Sequence, residues 1–188
     1  MRIIAIIPAR GGSKRLKKKN IYLLKGKPLI SYVIKACKES KNIDETYVSS
    51  DDEEILNFAK EFGAKPLKRA SNISDDITPK IVAVREVLKQ EELLIDGEPD
   101  IVIIPQANSP ELTSKEIDKG IDFMKKYDLW EVMSANRNGV QNAAYRIIRA
   151  DKINNNFLSA HCGFVTFDSL DIHTIEDVNK LENTGKLF

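Results

Sequence analysis

Cysteine occurs only twice in 188 residues, at Cys37 and Cys162. Two, so far apart, cannot supply the disulfide framework of a small secreted domain. The chain has no apolar run near the ~20 residues that a membrane-spanning helix needs. Its apolar opening, residues 1–7, is also too short for a secretory leader. Net charge is nearly absent: 29 Lys+Arg stand against 28 Asp+Glu, leaving +1. That balance excludes the global basic field of a general nucleic-acid binder. Repeats, linkers and low-complexity tracts are missing too. What remains is a cytoplasmic protein with one domain over residues 1–188, large enough for a full core, with neither nucleic acid nor membrane expected as partner.

Against this balance, the stretch "IIPARGGSKRLKKKNI" (6–21) is locally extreme. A β-branched run ends at Pro8, two glycines follow, and Arg10, Lys14, Arg15, Lys17, Lys18 and Lys19 crowd one turn. The pattern that surrounds it is regular. Short apolar runs at 2–8, 45–50, 100–106, 130–136, 143–148 and 163–168 read as strands. Amphipathic stripes at 28–40, 52–63, 78–93, 113–127 and 174–184 read as helices. Thr113 and Thr174, each with an acid three residues on, mark two helix starts, and Gly63 marks a helix end. Strand and helix alternate, which predicts an α/β fold, a Rossmann-like three-layer sandwich with a mostly parallel central sheet. In such sheets ligands sit at the carboxyl ends of the strands. The loops after 7, 50, 105, 135 and 168 should therefore border one crevice.

Gly11 and Gly12 allow close approach of the backbone to a ligand and let successive N–H groups meet one anion. Ser13 adds a hydroxyl, and Arg10, Lys14 and Lys19 add cations. A polyphosphate uses all of these, with Arg gripping oxygens in pairs and Lys acting as a point charge. The alternatives are a solvated basic loop or a weak nucleic-acid patch, the latter without interleaved aromatics. Neither the P-loop spacing nor G-x-G-x-x-G can be read here, so a dinucleotide site has no support.

The same stretch resembles the opening signature of the CMP-sialic acid synthetase (acylneuraminate cytidylyltransferase) family, roughly I-P-A-R-G-G-S-K-x-x-x-x-K-N. "YVSSDDEEIL" (47–56), "KRASNISDDITP" (68–79), "PQANSPELTSKEID" (105–118) and "SLDIHTIEDV" (169–178) are similar to further family segments in the same order. The resemblance implies a Rossmann-like nucleotidyltransferase that transfers CMP from CTP to an acidic sugar and releases pyrophosphate, with Mg²⁺ (or Mn²⁺) as cofactor. By the same resemblance Arg10, Ser13, Lys14 and Lys19 hold the triphosphate within a nucleotide site that includes Ala9, Gly11, Gly12, Asn20, Ser74 and Asp75. Lys68 stands at the position of a usual arginine. Gln106 matches a glutamine between nucleotide and sugar, giving Arg10, Lys14, Lys19 and Gln106 as the catalytic set. Asp171 matches the first metal-binding aspartate, and His173 stands where a second is usual. The stretch between 136 and 163 lacks most of an arm that pairs subunits in the family. A homodimer is still expected, through Phe123, Met124, Trp130 and Met133.

Other readings compete for some of these residues. His161, Cys162 and His173 lack the spacing of a zinc site and read as structural or pocket-lining groups. Asp51, Asp52, Glu53 and Glu54 could bind a metal, but they also suit the positive end of the helix that follows. With His173 in place of an aspartate, a relative that binds nucleotide without transferring it stays open.

Overall fold

The computed structural model of the chain describes residues 1–69, 80–156 and 159–184. In chain order the elements are β1 (Ile3–Pro8), β2 (Leu23–Leu24), β3 (Lys27–Pro28), α1 (Leu29–Lys38), β4 (Glu45–Ser50), α2 (Glu53–Glu61), β5 (Lys65–Lys68), α3 (Lys80–Val87), α4 (Glu91–Leu94), β6 (Ile101–Pro105), α5 (Ser114–Lys126), β7 (Glu131–Ala135), β8 (Gln141–Arg149), β9 (Cys162–Thr166) and α6 (Ile175–Asn183). Among the described residues seven strands form one sheet in the order β5-β4-β1-β6-β8-β7-β9. Within it β8 runs antiparallel to its neighbours and the other pairings are parallel, so the mostly parallel sheet expected from the sequence is present.

Each central strand is apolar on both sides because both faces are covered. In β1, Ile3, Ala5 and Ile7 join a core with residues of α1, α2 and α5. Ile4 and Ile6 face the other way, into a core with Val84 and Val87 of α3 and Leu93. A third, smaller core joins Leu16, Leu24, Leu29, Tyr32, Ile172, Val178 and Leu181. It fastens the basic turn, the β2–β3 hairpin and α6 to one another. Leu16, the apolar exception among the six cations, is buried there.

Helix boundaries follow the capping signals. Thr174 and Asp177 form a reciprocal capping box at α6, and Thr113 accepts from the Glu116 N–H at α5. Asp52 accepts from the Glu54 N–H at α2. Gly63, at φ 81°, takes the left-handed turn that closes this helix.

Three expectations need correction. The helix foreseen over 78–93 is broken: α3 ends at Val87 and a separate turn, α4, begins at Glu91. Strand β5 went unforeseen because "KPLK" carries charge and proline, as an edge strand does. Met124 and Met133 are core residues and Phe123 packs partly into the core, so they do not form an exposed docking face. Trp130 is stacked on His161 with ring centroids 4.6 Å apart and has the Lys152 ammonium 4.8 Å from its ring centre.

Candidate active site

The carboxyl ends of the parallel strands bring four of the five expected loops together. The turn after β1 meets the loop after β4: the Gly11 N–H donates to Asp51 Oδ1 at 3.1 Å. A Cβ on Gly11 would lie 2.5 Å from Asp52 Oδ2, whereas one on Gly12 would meet nothing within 4 Å. Gly11 is thus required by the protein's own packing, and Gly12 leaves open space. Ala9 is buried, its N–H donating to the Ser49 carbonyl at 2.9 Å. Asn20 is also buried and donates from Nδ2 to the Arg10 carbonyl at 2.9 Å, which closes the turn on itself. Lys18 takes a left-handed conformation (φ 52°) before a 3₁₀ turn at Lys19–Ile21. That kink sends neighbouring cations in different directions. Lys18 pairs at the surface with Glu54, while Lys19 is half-buried. Burial, then repulsion from Arg15 and Arg10, lowers the Lys19 pKa; Asp171 acts in the opposite sense.

The loops after β6 and β9 are bound to each other. Ile172 donates its N–H to the Asn108 carbonyl at 2.8 Å, and Asn108 Nδ2 donates to the Ile172 carbonyl at 3.0 Å. Ser109 Oγ donates to Asp171 Oδ1. The residues 169–173 form no regular strand, yet they alternate as extended chain does. Ile172 is fully buried, and Asp171 and His173 flank it half-buried. Burial, then Lys19 and Arg15, lowers the His173 pKa, with Asp171 and Asp177 opposing. The His173 N–H donates to Asp177 Oδ2 at 2.8 Å, so its main chain also belongs to the cap of α6. The hairpin after β7 joins at the margin, where Arg137 pairs with Asp168 at 2.6 Å.

Of the residues foreseen, Arg10, Lys19 and Asp171 share one electrostatic neighbourhood, to which Gln106 is connected through Lys80. Gly12, Ser13 and Lys14 continue the turn, with Lys14 exposed. Ser74 and Asp75 lie outside the described residues. Lys68 is not in this group: it is exposed and pairs with Glu53. The next residue, Arg69, is the one that turns inward. It is buried, and its pKa is lowered by burial, with Asp51 opposing and Arg10 adding to the shift.

Sequence reading also missed Lys80, Asn108 and Ser109. Lys80 opens α3 and donates to Gln106 Oε1. Burial, then repulsion from Lys19 and Arg10, brings its pKa down to about 8, against the pull of Asp171. A cation at a helix N-terminus opposes the helix dipole, and that mismatch was the available signal. A groove of about 990 Å³ lies at the opposite end of the sheet, lined by residues such as Arg85, Asp100 and Arg149. It is distant from this chemistry and contains none of the cluster.

A basic glycine turn, a buried arginine, two lysines, a glutamine and an aspartate are gathered at the strand ends of a mostly parallel α/β sheet. Residues 4–156 match the family model described as "Cytidylyltransferase", and the chain belongs to that family. Over 100 residues it is 46% identical to the pseudaminic acid cytidylyltransferase of Campylobacter jejuni, covering 51% of this chain and 43% of that protein. Over 135 residues it is 37% identical to N-acylneuraminate cytidylyltransferase A of Danio rerio, covering 72% of this chain and 30% of that protein. The chain thus spans less than half the length of these two relatives. Among solved structures, the CMP:2-keto-3-deoxy-manno-octonic acid synthetase complexed with CTP superposes with a TM-score of 0.75 at 16% identity, over 98% of both chains. At that identity the likeness is one of fold.

Proposed function

We propose that this chain transfers CMP from CTP to an acidic sugar. The observation that carries the reading is the meeting, at the strand ends, of the basic glycine turn with the loop that bears Asp171, where Lys19 lies half-buried within reach of that carboxylate. Half-buried beside Arg15 and Arg10, Lys19 presents a cation that an anionic ligand suits, and a triphosphate is the anion this family's members would bring. The relatives named for pseudaminic and N-acylneuraminic acids support an acidic acceptor.

In the reaction, an acceptor hydroxyl oxygen forms a bond to the α-phosphorus of CTP. The bond from that phosphorus to the bridging oxygen breaks, pyrophosphate leaves, and the hydroxyl proton passes to solvent or a nearby base. The protein's contribution is positioning and charge neutralisation more than covalent chemistry. Arg10, Lys14 and Lys19 would hold phosphate oxygens, with Gly12 allowing close approach. We assign the arginine position given by resemblance to Lys68 to Arg69 instead, since Arg69 faces Arg10 and Asp51.

Magnesium, or manganese, fits the donor set in a limited way. Among the described residues no three His, Cys, Asp or Glu side chains gather as a metal cage. Magnesium commonly takes one or two protein carboxylates and completes its shell with water and phosphate. Asp171, oriented by Ser109, would be that carboxylate. The ion would supply further neutralisation of phosphate charge.

No helix among the described residues is long and apolar enough to cross a membrane, and on this reading the enzyme works in the cytoplasm, where CTP is available. Pairing of two copies would use the outer strand β9, where Phe164 is exposed near Tyr127, in place of Met124 and Met133.

The test is pyrophosphate release. Purified protein is given CTP or another nucleoside triphosphate, a divalent ion, and pseudaminic, N-acetylneuraminic or 3-deoxy-manno-octulosonic acid. Release with CTP and at least one acid supports the reading. If no pairing releases pyrophosphate while CTP still raises the melting temperature, the chain is a silent nucleotide-binding relative, the reading that His173 favours.

A further inference from the structure

The main-chain N–H of Gln106 is fixed to the Ala144 carbonyl at 3.0 Å, at the junction of β6 and β8. Its side chain accepts a hydrogen bond from Lys80 through Oε1. A lysine ammonium has three donors and no acceptor, so the carboxamide can face it only with its oxygen. The amide nitrogen, with two N–H donors, is then turned away from Lys80. Among the described residues no protein acceptor pairs with that nitrogen. Lys80 comes from α3 on one face of the sheet, and its ammonium is within electrostatic reach of Lys19, Arg10 and Asp171. One lysine thus bridges the cationic cluster and the glutamine beside it.

We infer that Lys80 is a positioning residue for the acceptor: by holding Gln106 Oε1 it commits the Gln106 amide to donate to an oxygen of the acidic sugar. This rests on the function proposed above. An amide free to rotate presents its carbonyl oxygen as readily as its N–H groups, and a carbonyl oxygen meets a carboxylate or hydroxyl lone pair unfavourably. A lysine at position 80 removes that ambiguity without itself occupying the sugar's place. Acceptor recognition is therefore coupled to a residue of α3, outside the loops whose sequence suggested a site.

The experiment has a kinetic arm and a substrate-free arm. Steady-state kinetics of the parent, Lys80→Met, Lys80→Arg and Gln106→Glu would use CTP with whichever of the three acids named above the parent uses best. Lys80→Met should raise the KM for the acid by about tenfold, the size of one misplaced charge-assisted contact, and leave the KM for CTP nearly unchanged. Lys80→Arg should restore most of the loss, since it also only donates. Gln106→Glu should keep the pairing to Lys80 but lose acceptor binding, because it removes the two N–H donors. In the substrate-free arm, the side-chain amide resonances of Gln106 are assigned by ¹⁵N NMR. They should shift in Lys80→Met and stay near their parental positions in Lys80→Arg.

A rise in the KM for CTP instead of for the acid would overturn the inference and make Lys80 a triphosphate ligand. Unmoved Gln106 resonances in Lys80→Met would overturn it as well. If the parent turns over no acid at all, the proposed activity fails separately. The NMR arm then decides the Lys80–Gln106 coupling alone.

Discussion

Asn108 and Ile172, sixty-four positions apart in the chain, hold each other through two hydrogen bonds, one main chain to main chain and one from the Asn108 carboxamide. Asn108 is buried, and the neighbouring residues Ser109 and Asp171 make the next contact along. The pair therefore sets where the Asp171 carboxylate stands. Asn108→Ala should leave the Ile172 carbonyl without its side-chain donor and cost about 1–2 kcal/mol of stability. Turnover should fall further than CTP affinity does, because Asp171 is displaced while the glycine turn is untouched. Thermal melts, CTP titration and pyrophosphate release on the same variant check this. Equal losses in affinity and turnover would count against it.

The two glycines make opposite predictions. Gly11→Ala drives a methyl into the Asp52 side chain, with backbone shifts as the only relief, and should destabilise by about 1–3 kcal/mol. A methyl on Gly12 meets nothing within 4 Å among the described residues, so the melting temperature of Gly12→Ala should stay within a degree or two of the parent. Its methyl would instead occupy space that the bound phosphate needs, and CTP affinity should drop by at least about tenfold. Calorimetry with and without CTP separates the two. A stable Gly12→Ala that binds CTP normally would remove the turn from the phosphate site.

The cations of that turn should divide in the same way. Lys19 is half-buried beside Arg10 and Asp171, whereas Lys17 is exposed and Lys18 is engaged with Glu54. Lys19→Ala should remove on the order of 2–4 kcal/mol of transition-state stabilisation. Lys17→Ala and Lys18→Ala should change kcat/KM little. Uniform effects across the three would mean that the turn acts only as a diffuse basic patch.

Much of this site was legible because its signals are local. A β-branched run, a proline and two glycines define the end of β1 without reference to the rest of the chain, whereas Asp171 comes from the resemblance of "SLDIHTIEDV" to a family segment. What escaped depended on three-dimensional phase. In "KPLKRA" two adjacent cations compete for one inward position, and four residues of a charged edge strand do not reveal the pleat. The fold decides for Arg69 because Leu67 is the buried member of β5 and Lys68 projects outward. Lys80 looked like an ordinary polar residue of a helical stripe. Only the crossing of α3 over the strand ends sets it against Gln106. Leu16 read as an interruption of a basic run until Ile172 and α6 supplied the core it enters.

Away from the site, Glu45 gives a stability prediction with a definite sign. Burial alone would raise its pKa, but hydrogen bonds from Lys65, Arg2 and Tyr47 outweigh that and hold it at about 2, below its ordinary 4.5. A carboxylate depressed in the folded state stabilises it above the unfolded pKa, and that contribution disappears as pH falls from about 4.5 toward about 2. It amounts to roughly 3 kcal/mol. Glu45→Gln should lose about that much at pH 7 and flatten the acid limb of the stability curve. Urea melts from pH 7 to pH 3 check it. Parallel curves for parent and variant would show that the carboxylate's pKa is not depressed by folding.

The metal prediction turns on Asp171 and His173. Asp171 is oriented by Ser109 and lies within reach of Lys19 and Lys80. Its neighbour but one, His173, has a pKa held below the ordinary value by burial, Lys19 and Arg15, so its imidazole is neutral near pH 7 and keeps a lone pair for a metal. A carboxylate with an imidazole suits Mn²⁺, Co²⁺ or Zn²⁺ better than Mg²⁺, which prefers oxygen. Asp171→Asn should therefore cost on the order of 100-fold in kcat/KM, about 2–3 kcal/mol, with little change in melting temperature. His173→Asp should move the preference toward Mg²⁺. The change should leave α6 in place, because its cap is made by Thr174, Asp177 and the His173 main chain, which the substitution keeps. Activity measured across Mg²⁺, Mn²⁺ and Co²⁺ for the parent and both variants gives the answer. An unchanged metal profile in His173→Asp, with Asp171→Asn still impaired, would leave Asp171 as the sole protein ligand and return His173 to the helix cap.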